Sequence, residues 1–261
     1  MLKPIRPRDL SVTIPALCVS ALILFLLTPS PILAAPTNSA FVQKAYLDLL
    51  LRPASPSDIS LWTPQLDSTT LTRTQFALDV MASPEYLHVR ANEFYNDYLS
   101  RSPSPVELSN LTSFLQTQTL PQGRAIILGS PEYFITQGGS ANATFLNSLY
   151  LDLLNRPIDA TASAVFQTQL TGGATRSDIA LAVQGGDEWH TDIVTDYYQQ
   201  FLHRAPDSFG LTFYKGLLAG GSTEQDVIAS LLGSEEYFQN VPEPAALSLL
   251  ALTLLTLRRR R

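Results

Sequence analysis

Residues 41–53 read Phe41-Val42-Gln43-Lys44-Ala45-Tyr46-Leu47-Asp48-Leu49-Leu50-Leu51-Arg52-Pro53. Phe41, Val42, Ala45, Tyr46, Leu49 and Leu50 fall at i, i+1, i+4, i+5, i+8 and i+9, which is one apolar stripe on a helix. The Arg-Pro step ends that helix, because proline lacks an amide donor and restricts the residue before it. The same register returns at Arg101, Arg156 and Arg204, each followed within two residues by proline. Six residues before each arginine stands a tyrosine (Tyr46, Tyr95, Tyr150, Tyr198), and two before stands a leucine (Leu50, Leu99, Leu154, Leu202). The arginine spacings are 49, 55 and 48 residues, so the chain is a repeat with four units of about 50 residues.

Each unit continues with a second short helix, carrying Ile59, Leu61 and Trp62 in the first unit and Phe209, Leu211 and Tyr214 in the last. A third helix opens at Thr72-Arg73-Thr74-Gln75, Thr175-Arg176-Ser177-Asp178 and Thr223-Glu224-Gln225-Asp226. In each, a hydroxyl is followed three residues later by Gln or Asp, which can reach back to the free amides of the first turn. The units close on Ser83-Pro84-Glu85-Tyr86, Ser130-Pro131-Glu132-Tyr133, Gly186-Asp187-Glu188-Trp189 and Ser234-Glu235-Glu236-Tyr237. Serine as cap, proline in the first turn and an acid against the dipole start a further helix. No run alternates with period two, so the predicted fold class is all-α.

Charged residues make up 15% and hydrophobic residues 45% of the 261 positions, which excludes a disordered or coiled-coil chain. The 18 prolines and 13 glycines follow no Gly-X-Y period, which excludes collagen. Residues 36–240 hold 10 Lys+Arg against 21 Asp+Glu, a net charge of −11 hidden by the whole-chain value of −6. An acidic body argues against nucleic acid and anionic lipid as partners.

The basic excess sits in two flanking segments. Lys3, Arg6 and Arg8 precede an apolar run from Ala16 to Leu27, followed by Ala34 and Ala35. That order is expected of a secretory leader (residues 1–34), handled by the Sec machinery and signal peptidase, with cleavage after Ala34 because Pro36 would hinder a cut after Ala35. The apolar run reaches only about 18 Å, short of the roughly 30 Å hydrocarbon core. Cys18, the single cysteine, lies inside the leader, so the processed chain would carry no thiol. Residues 241–261 comprise Val241-Pro242-Glu243-Pro244, the apolar stretch Ala245 to Leu257, and Arg258, Arg259, Arg260 and Arg261. The stretch is marginal for a stable span, and the arginines would remain cytoplasmic. The two prolines leave an extended segment that a processing enzyme can grip.

This tripartite tail resembles the PEP-CTERM sorting signal of exported bacterial proteins. The resemblance implies recognition of Pro242, Glu243 and Pro244 by an exosortase-like membrane protease-transpeptidase in an exopolysaccharide-producing Gram-negative bacterium. The repeats resemble the DUF4214 family, best in Phe201-Leu202-His203-Arg204-Ala205-Pro206-Asp207-Ser208-Phe209-Gly210-Leu211 and in the first unit. The second unit departs, with Ser104-Pro105-Val106-Glu107 in place of the acid-glycine turn. The family is similar in character to phycobilisome linker domains, and the resemblance implies an interaction or scaffold role.

The repeated arginines have planar forks suited to a carboxylate or an acidic sugar. Repetition at one position instead favours a structural role, on helix-terminal carbonyls or an acid of the next turn such as Asp207. The four tyrosines are expected in the core. Trp62, Tyr214 and Trp189 are expected to pack, with sugar stacking as the alternative. His88, His190 and His203 form no zinc-hydrolase pattern, and no nucleophile elbow, phosphate loop, dinucleotide fingerprint or calcium loop is present. The expectation is therefore no catalytic residues, no metal and no cofactor. The division is 1–34 leader, 36–137 repeats 1 and 2, 141–240 repeats 3 and 4, and 241–261 tail, with Gly138-Gly139-Ser140 as the boundary between pairs. The expected function is that of an exported, non-enzymatic protein, held transiently at the inner membrane and then placed on the outer surface or in the extracellular matrix, where the repeats contact exopolysaccharide or surface proteins. The alternatives are a carbohydrate-active or peptidoglycan-modifying enzyme using acids such as Glu188 or Glu236, and a tail-anchored periplasmic scaffold.

Overall fold

A computed structural model describes residues 36–241. Helix α1 (Asn38–Leu50) begins where the Thr37 hydroxyl accepts from the Ala40 amide and buries the stripe from Phe41 to Leu50. It stops at Leu51, whose φ of 56° is left-handed. Ser100, Asn155 and His203, each one residue before a repeat arginine, adopt the same conformation with φ of 54°, 50° and 56°. A side chain there costs on the order of 1 kcal/mol or more, so something must hold the turn.

The remaining helices follow the repeat. In unit 1 they are α2 (Pro56–Asp67) and α3 (Arg73–Met81), and in unit 2 they are α4 (Pro84–Leu99), α5 (Pro105–Leu115), α6 (Leu120–Leu128) and the short α7 (Pro131–Thr136). Unit 3 has α8 (Asn142–Leu154), α9 (Ala160–Thr171) and α10 (Arg176–Gln184). Unit 4 has α11 (Asp187–Tyr197), running into a π-helical turn over Tyr198–Leu202, then α12 (Ser208–Ala219), α13 (Glu224–Gly233) and α14 (Glu235–Gln239). No strand occurs among the described residues, as the period-3.6 stripes require. Capping follows the expected chemistry: Thr175 with Asp178 and Thr223 with Asp226 form reciprocal boxes. Thr72 caps through its hydroxyl alone. Unit 2 has its own box, Thr119 with Gln122.

Within each unit the first two helices pack as a hairpin, while the third helices pair between units: α3 with α13 and α6 with α10 form the most extensive helix contacts. Unit 4 thus meets unit 1, unit 2 meets unit 3, and the order closes on itself. Glycines set the approach. A Cβ on Gly129 would lie 2.6 Å from the Ser177 amide nitrogen, and one on Gly233 would lie 3.0 Å from that of Thr74. The two junctions are near copies. Phe41 meets Tyr237 edge-on at 5.8 Å and 90°, and Phe145 meets Tyr133 at 6.1 Å and 87°. Long helices join units 1 to 2 (α4) and 3 to 4 (α11 with its π turn), whereas the chain turns at Gly138-Gly139-Ser140 between α7 and α8. The halves on either side of that turn are two versions of one two-unit element, packed through the α6–α10 and α3–α13 pairs.

In the second helices the sequence stripe is refined by geometry. Ile59 and Trp62, three residues apart, face the core, but Leu61 is exposed; likewise Leu211 and Tyr214 face in while Phe209 is 79% exposed. No helix of the described residues is long and apolar enough to cross a membrane. The leader cleavage residue Ala34, the motif Pro242, Glu243 and Pro244, and Arg258, Arg259, Arg260 and Arg261 lie outside the described residues.

Candidate functional site

The four repeat arginines share one geometry. Arg101 donates from Nε and Nη2 to both oxygens of Glu132 at 2.6 Å. Arg156 reaches Glu188 at 2.5 and 2.6 Å, and Arg204 reaches Glu236 at 2.5 and 2.7 Å. Arg52 grips Glu85 the same way, with Nη2 at 2.8 Å. Each Nη1 also donates to the carbonyl of the next residue, which fixes the left-handed turn. Each guanidinium lies 5.0–5.2 Å from the ring of the tyrosine six residues earlier, in cation–π contact. The acid at the start of the second helix completes the clasp: Asp58 at 2.9 Å, Glu107 at 2.7 and 3.0 Å, and Asp159 and Asp207 at 3.8 and 3.9 Å. The Arg101 hydrogen bonds pull the Glu107 carboxyl down to about 2. Arginine pairing likewise lowers Glu132, Glu188 and Glu236.

So Tyr46, Arg52, Tyr95, Arg101, Tyr150, Arg156, Tyr198 and Arg204 come together in four clasps, each arginine paired with the glutamate of the next closing motif: Glu85 and Glu188 at the start of the joining helices α4 and α11, Glu132 and Glu236 in α7 and α14. Sequence reasoning supplied the arginine and the acid of the next turn but missed the bidentate glutamate, although it stands 31 to 33 residues downstream in every unit. Trp62 packs inward and donates to the Tyr46 hydroxyl at 2.7 Å, Tyr214 bonds Ser230 at 3.0 Å, and Trp189 is buried.

A different cluster occupies the centre, where the units converge. Arg124 (α6), Glu224 (α13) and Gln184 (α10) are all buried. Arg124 donates from Nη1 and Nη2 to Glu224 Oε1 and Oε2, each at 3.1 Å, and from Nη1 to Gln184 Oε1 at 2.5 Å. Tyr197 donates to Glu224 at 2.9 Å, and the guanidinium lies 4.9 Å from the Trp189 ring. A buried charge survives only with such a set of partners. The sequence carries a signal for this cluster. Counting from each capping threonine, Arg124 stands where the other units have Ala77, Ala180 and Ile228, and Gln184 stands where they have Met81, Leu128 and Leu232. Polar residues in an apolar register mark a specialised place.

Above this network lies a cavity of about 290 Å³. Its floor is Tyr86, Arg124, Trp189, Tyr197 and Glu224; Arg90, Glu93 and Tyr98 form the wall; Asp97, Asp152 and Asp196 stand at the exposed rim. Five acids face two cations there. Burial raises Glu93, Asp97, Asp152 and Asp196 above the ordinary carboxylate range, opposed for Glu93 by Arg90 and for Asp152 by the Tyr133 hydroxyl. The Tyr86 hydroxyl, pushed up to about 12 by burial, has no hydrogen-bond partner, and neither has Arg90 Nε. Such orphans are rare in folded proteins. Among the described residues no three acids or histidines converge closely enough to hold a metal ion.

Four copies of one clasped helical unit, closed around a polar centre, define an all-α repeat protein. The family described as "Domain of unknown function (DUF4214)" matches residues 32–89, 124–193 and 184–241, and the chain belongs to that family. Unit 2 folds like the others although no separate match spans it; its Ser104–Glu107 box matches Ser55–Asp58 of unit 1, whereas units 3 and 4 cap the second helix with Asp159 and Asp207. No curated protein and no solved structure matched the chain.

Proposed function

We propose that this protein is an exported, non-enzymatic binding scaffold. In this reading residues 1–34 direct Sec export and are removed by signal peptidase. Residues 241–261 are a PEP-CTERM-like signal that holds the chain briefly at the inner membrane for an exosortase-like protease. The repeats then serve on the outer surface or in the extracellular matrix of a Gram-negative bacterium, in contact with a glycan or another surface protein. The observation that carries the non-enzymatic part is the clasp. Glu188 and Glu236, the two acids that the enzyme alternative names, are spent in bidentate pairs with Arg156 and Arg204 and held below the usual carboxylate range. A general acid working near neutral pH needs the opposite shift. The sorting part rests on the Pro242-Glu243-Pro244, apolar and arginine pattern of the sequence.

The test is deletion of residues 241–261, followed by cell fractionation and mass spectrometry of both termini of the native product. The truncated chain should accumulate in a different compartment. Unchanged surface delivery would overturn the sorting role, and a mature product retaining its tail would favour a permanent tether.

A further inference from the structure

We propose that the outer face of α12 is a self-association surface, on which a second copy of this chain lays its own α12 in the opposite direction. Phe209 and Phe213 stand one turn apart on that face, 79% and 48% exposed, with ring centroids 6.2 Å apart and planes 12° from parallel. Gly216 and Gly220 continue the stripe at i+7 and i+11 from Phe209, and both are exposed. Counting from the caps at Ser55, Ser104, Asp159 and Asp207, the two rings stand where the other second helices carry Ser57 and Leu61, Val106 and Asn110, and Thr161 and Val165. Gly216 stands where they carry Pro64, Ser113 and Thr168. Glycine in a helix interior is destabilising, and a Cβ added to Gly216 would meet nothing within 4 Å. Packing within the chain therefore does not account for this glycine, whereas close approach of a second body does.

The occupant follows from the order of the stripe. Two rings in its first half and two gaps in its second are complementary to the same stripe read backwards. About a two-fold axis passing between Tyr214 and Lys215, Phe209 faces Gly220 of the second copy and Phe213 faces its Gly216. Both contacts occur twice, as an isologous interface requires. Charge fits the same occupant. No exposed residue from 208 to 220 is charged, and Lys215, the one charge of α12, lies off the stripe where Asp187 holds it at 2.8 Å. Two bodies of net charge −11 therefore meet here without opposing like charges, and their remaining repulsion is long-range and screened by salt. Area sets the strength. A buried phenylalanine removes about 150–250 Å² from water, so the four partly exposed rings of a pair supply roughly 500 Å². One pair of 12-residue helices lies below the 1,200–2,000 Å², roughly, of a stable complex. The dimer is weak and reversible, and it forms where copies are crowded.

The experiment is analytical ultracentrifugation of the native product from micromolar to millimolar concentration. The average mass should rise toward that of a dimer, and more steeply at high salt than at low, the reverse of an ion-paired contact. Gly216→Leu fills the gap that receives Phe213 and should weaken association at least tenfold without lowering the melting temperature. Phe209→Ser, at the more exposed ring, should do the same. In a Cys18→Ser background, Phe209→Cys chains mixed with Gly220→Cys chains should cross-link on oxidation, while neither cross-links alone, because like positions stand too far from the axis for a disulfide. A monomer at every concentration, association untouched by Gly216→Leu or Phe209→Ser, or any other cross-linking pattern would overturn the proposal. So would association lost on deletion of residues 242–261, which would assign the contact to the tail. This test reads mass and the sorting test reads location, so their failures are distinguishable.

Discussion

The Tyr237 hydroxyl donates a 2.7 Å hydrogen bond to Asp48 Oδ2, joining the last described helix to the first across 189 residues of chain. Asp48 also holds Lys44 Nζ at 2.6 Å, and that ammonium lies 4.2 Å from the Tyr237 ring. Tyr237 is fully buried, and burial beside Asp48 drives its hydroxyl far above the ordinary tyrosine range. Replacing it by phenylalanine keeps the ring and leaves Asp48 one donor short. Tyr237→Phe should cost about 1.5–3 kcal/mol in chemical denaturation, the range for a hydrogen bond to a charged group. Amide exchange should rise together in α1 and α14; a rise in α14 alone would mean that the closure holds nothing.

The buried pair Arg124–Glu224 gives a test of cooperativity at the centre. Arg124→Met strands the Glu224 carboxylate, and Glu224→Gln strands the guanidinium. Each single change should cost about 3–5 kcal/mol, whereas Arg124→Met with Glu224→Leu should recover most of the loss. A double-mutant cycle by urea denaturation measures the coupling. Additive costs would show that the two side chains do not sense each other.

Gly129 and Gly233 set how closely the paired third helices approach. Alanine at either place pushes a methyl group onto the backbone of the opposite helix. Gly129→Ala and Gly233→Ala should each cost about 1–3 kcal/mol by overpacking. The similar backbone approaches at the two junctions predict similar losses, read as matched falls in melting temperature.

Stability should pass through a maximum at mildly acidic pH. Glu107, Glu132, Glu188 and Glu236 titrate lower in the folded than in the unfolded chain, where glutamates sit near about 4.3. Their contribution is present above that value and disappears as pH falls through their folded values, near 2 for Glu107. Glu93, Asp97 and Asp196 are raised by burial, so the folded chain binds their protons first and stability rises as pH drops toward about 4. Melting temperature measured from pH 7 to 2 should climb, then fall. Glu93→Gln, Asp97→Asn and Asp196→Asn combined should flatten the neutral limb and leave the acid limb in place. A profile that falls steadily from pH 7 would refute this balance.

The helices, their stripes and most of their caps were legible in the sequence because those signals are local. Tyr46 and Arg52 declare themselves by six-residue spacing and Ser83-Pro84 by cap chemistry. What was hidden depends on folding in three dimensions. Glu85 takes Arg52 only when α2 and α3 have brought the chain back, and Tyr237 finds Asp48 only when four units have turned full circle. The central cavity was hidden for a further reason. Arg124 and Gln184 are each ordinary helix residues in isolation. Their oddity emerges when the four units are aligned on their capping threonines and compared position by position.

The meeting of α13 with α3 has a consequence for evolution of length. In an open solenoid every added repeat finds a fresh edge on which to stack, so such proteins vary freely in size. Here both edges are consumed by one another. A fifth unit would have to prise apart the first and last before it could dock, and a chain of three would leave two unsated faces exposed to water. The number four therefore follows from the two third-helix pairings, α3 with α13 and α6 with α10, and the chain can change its count only by abandoning its centre.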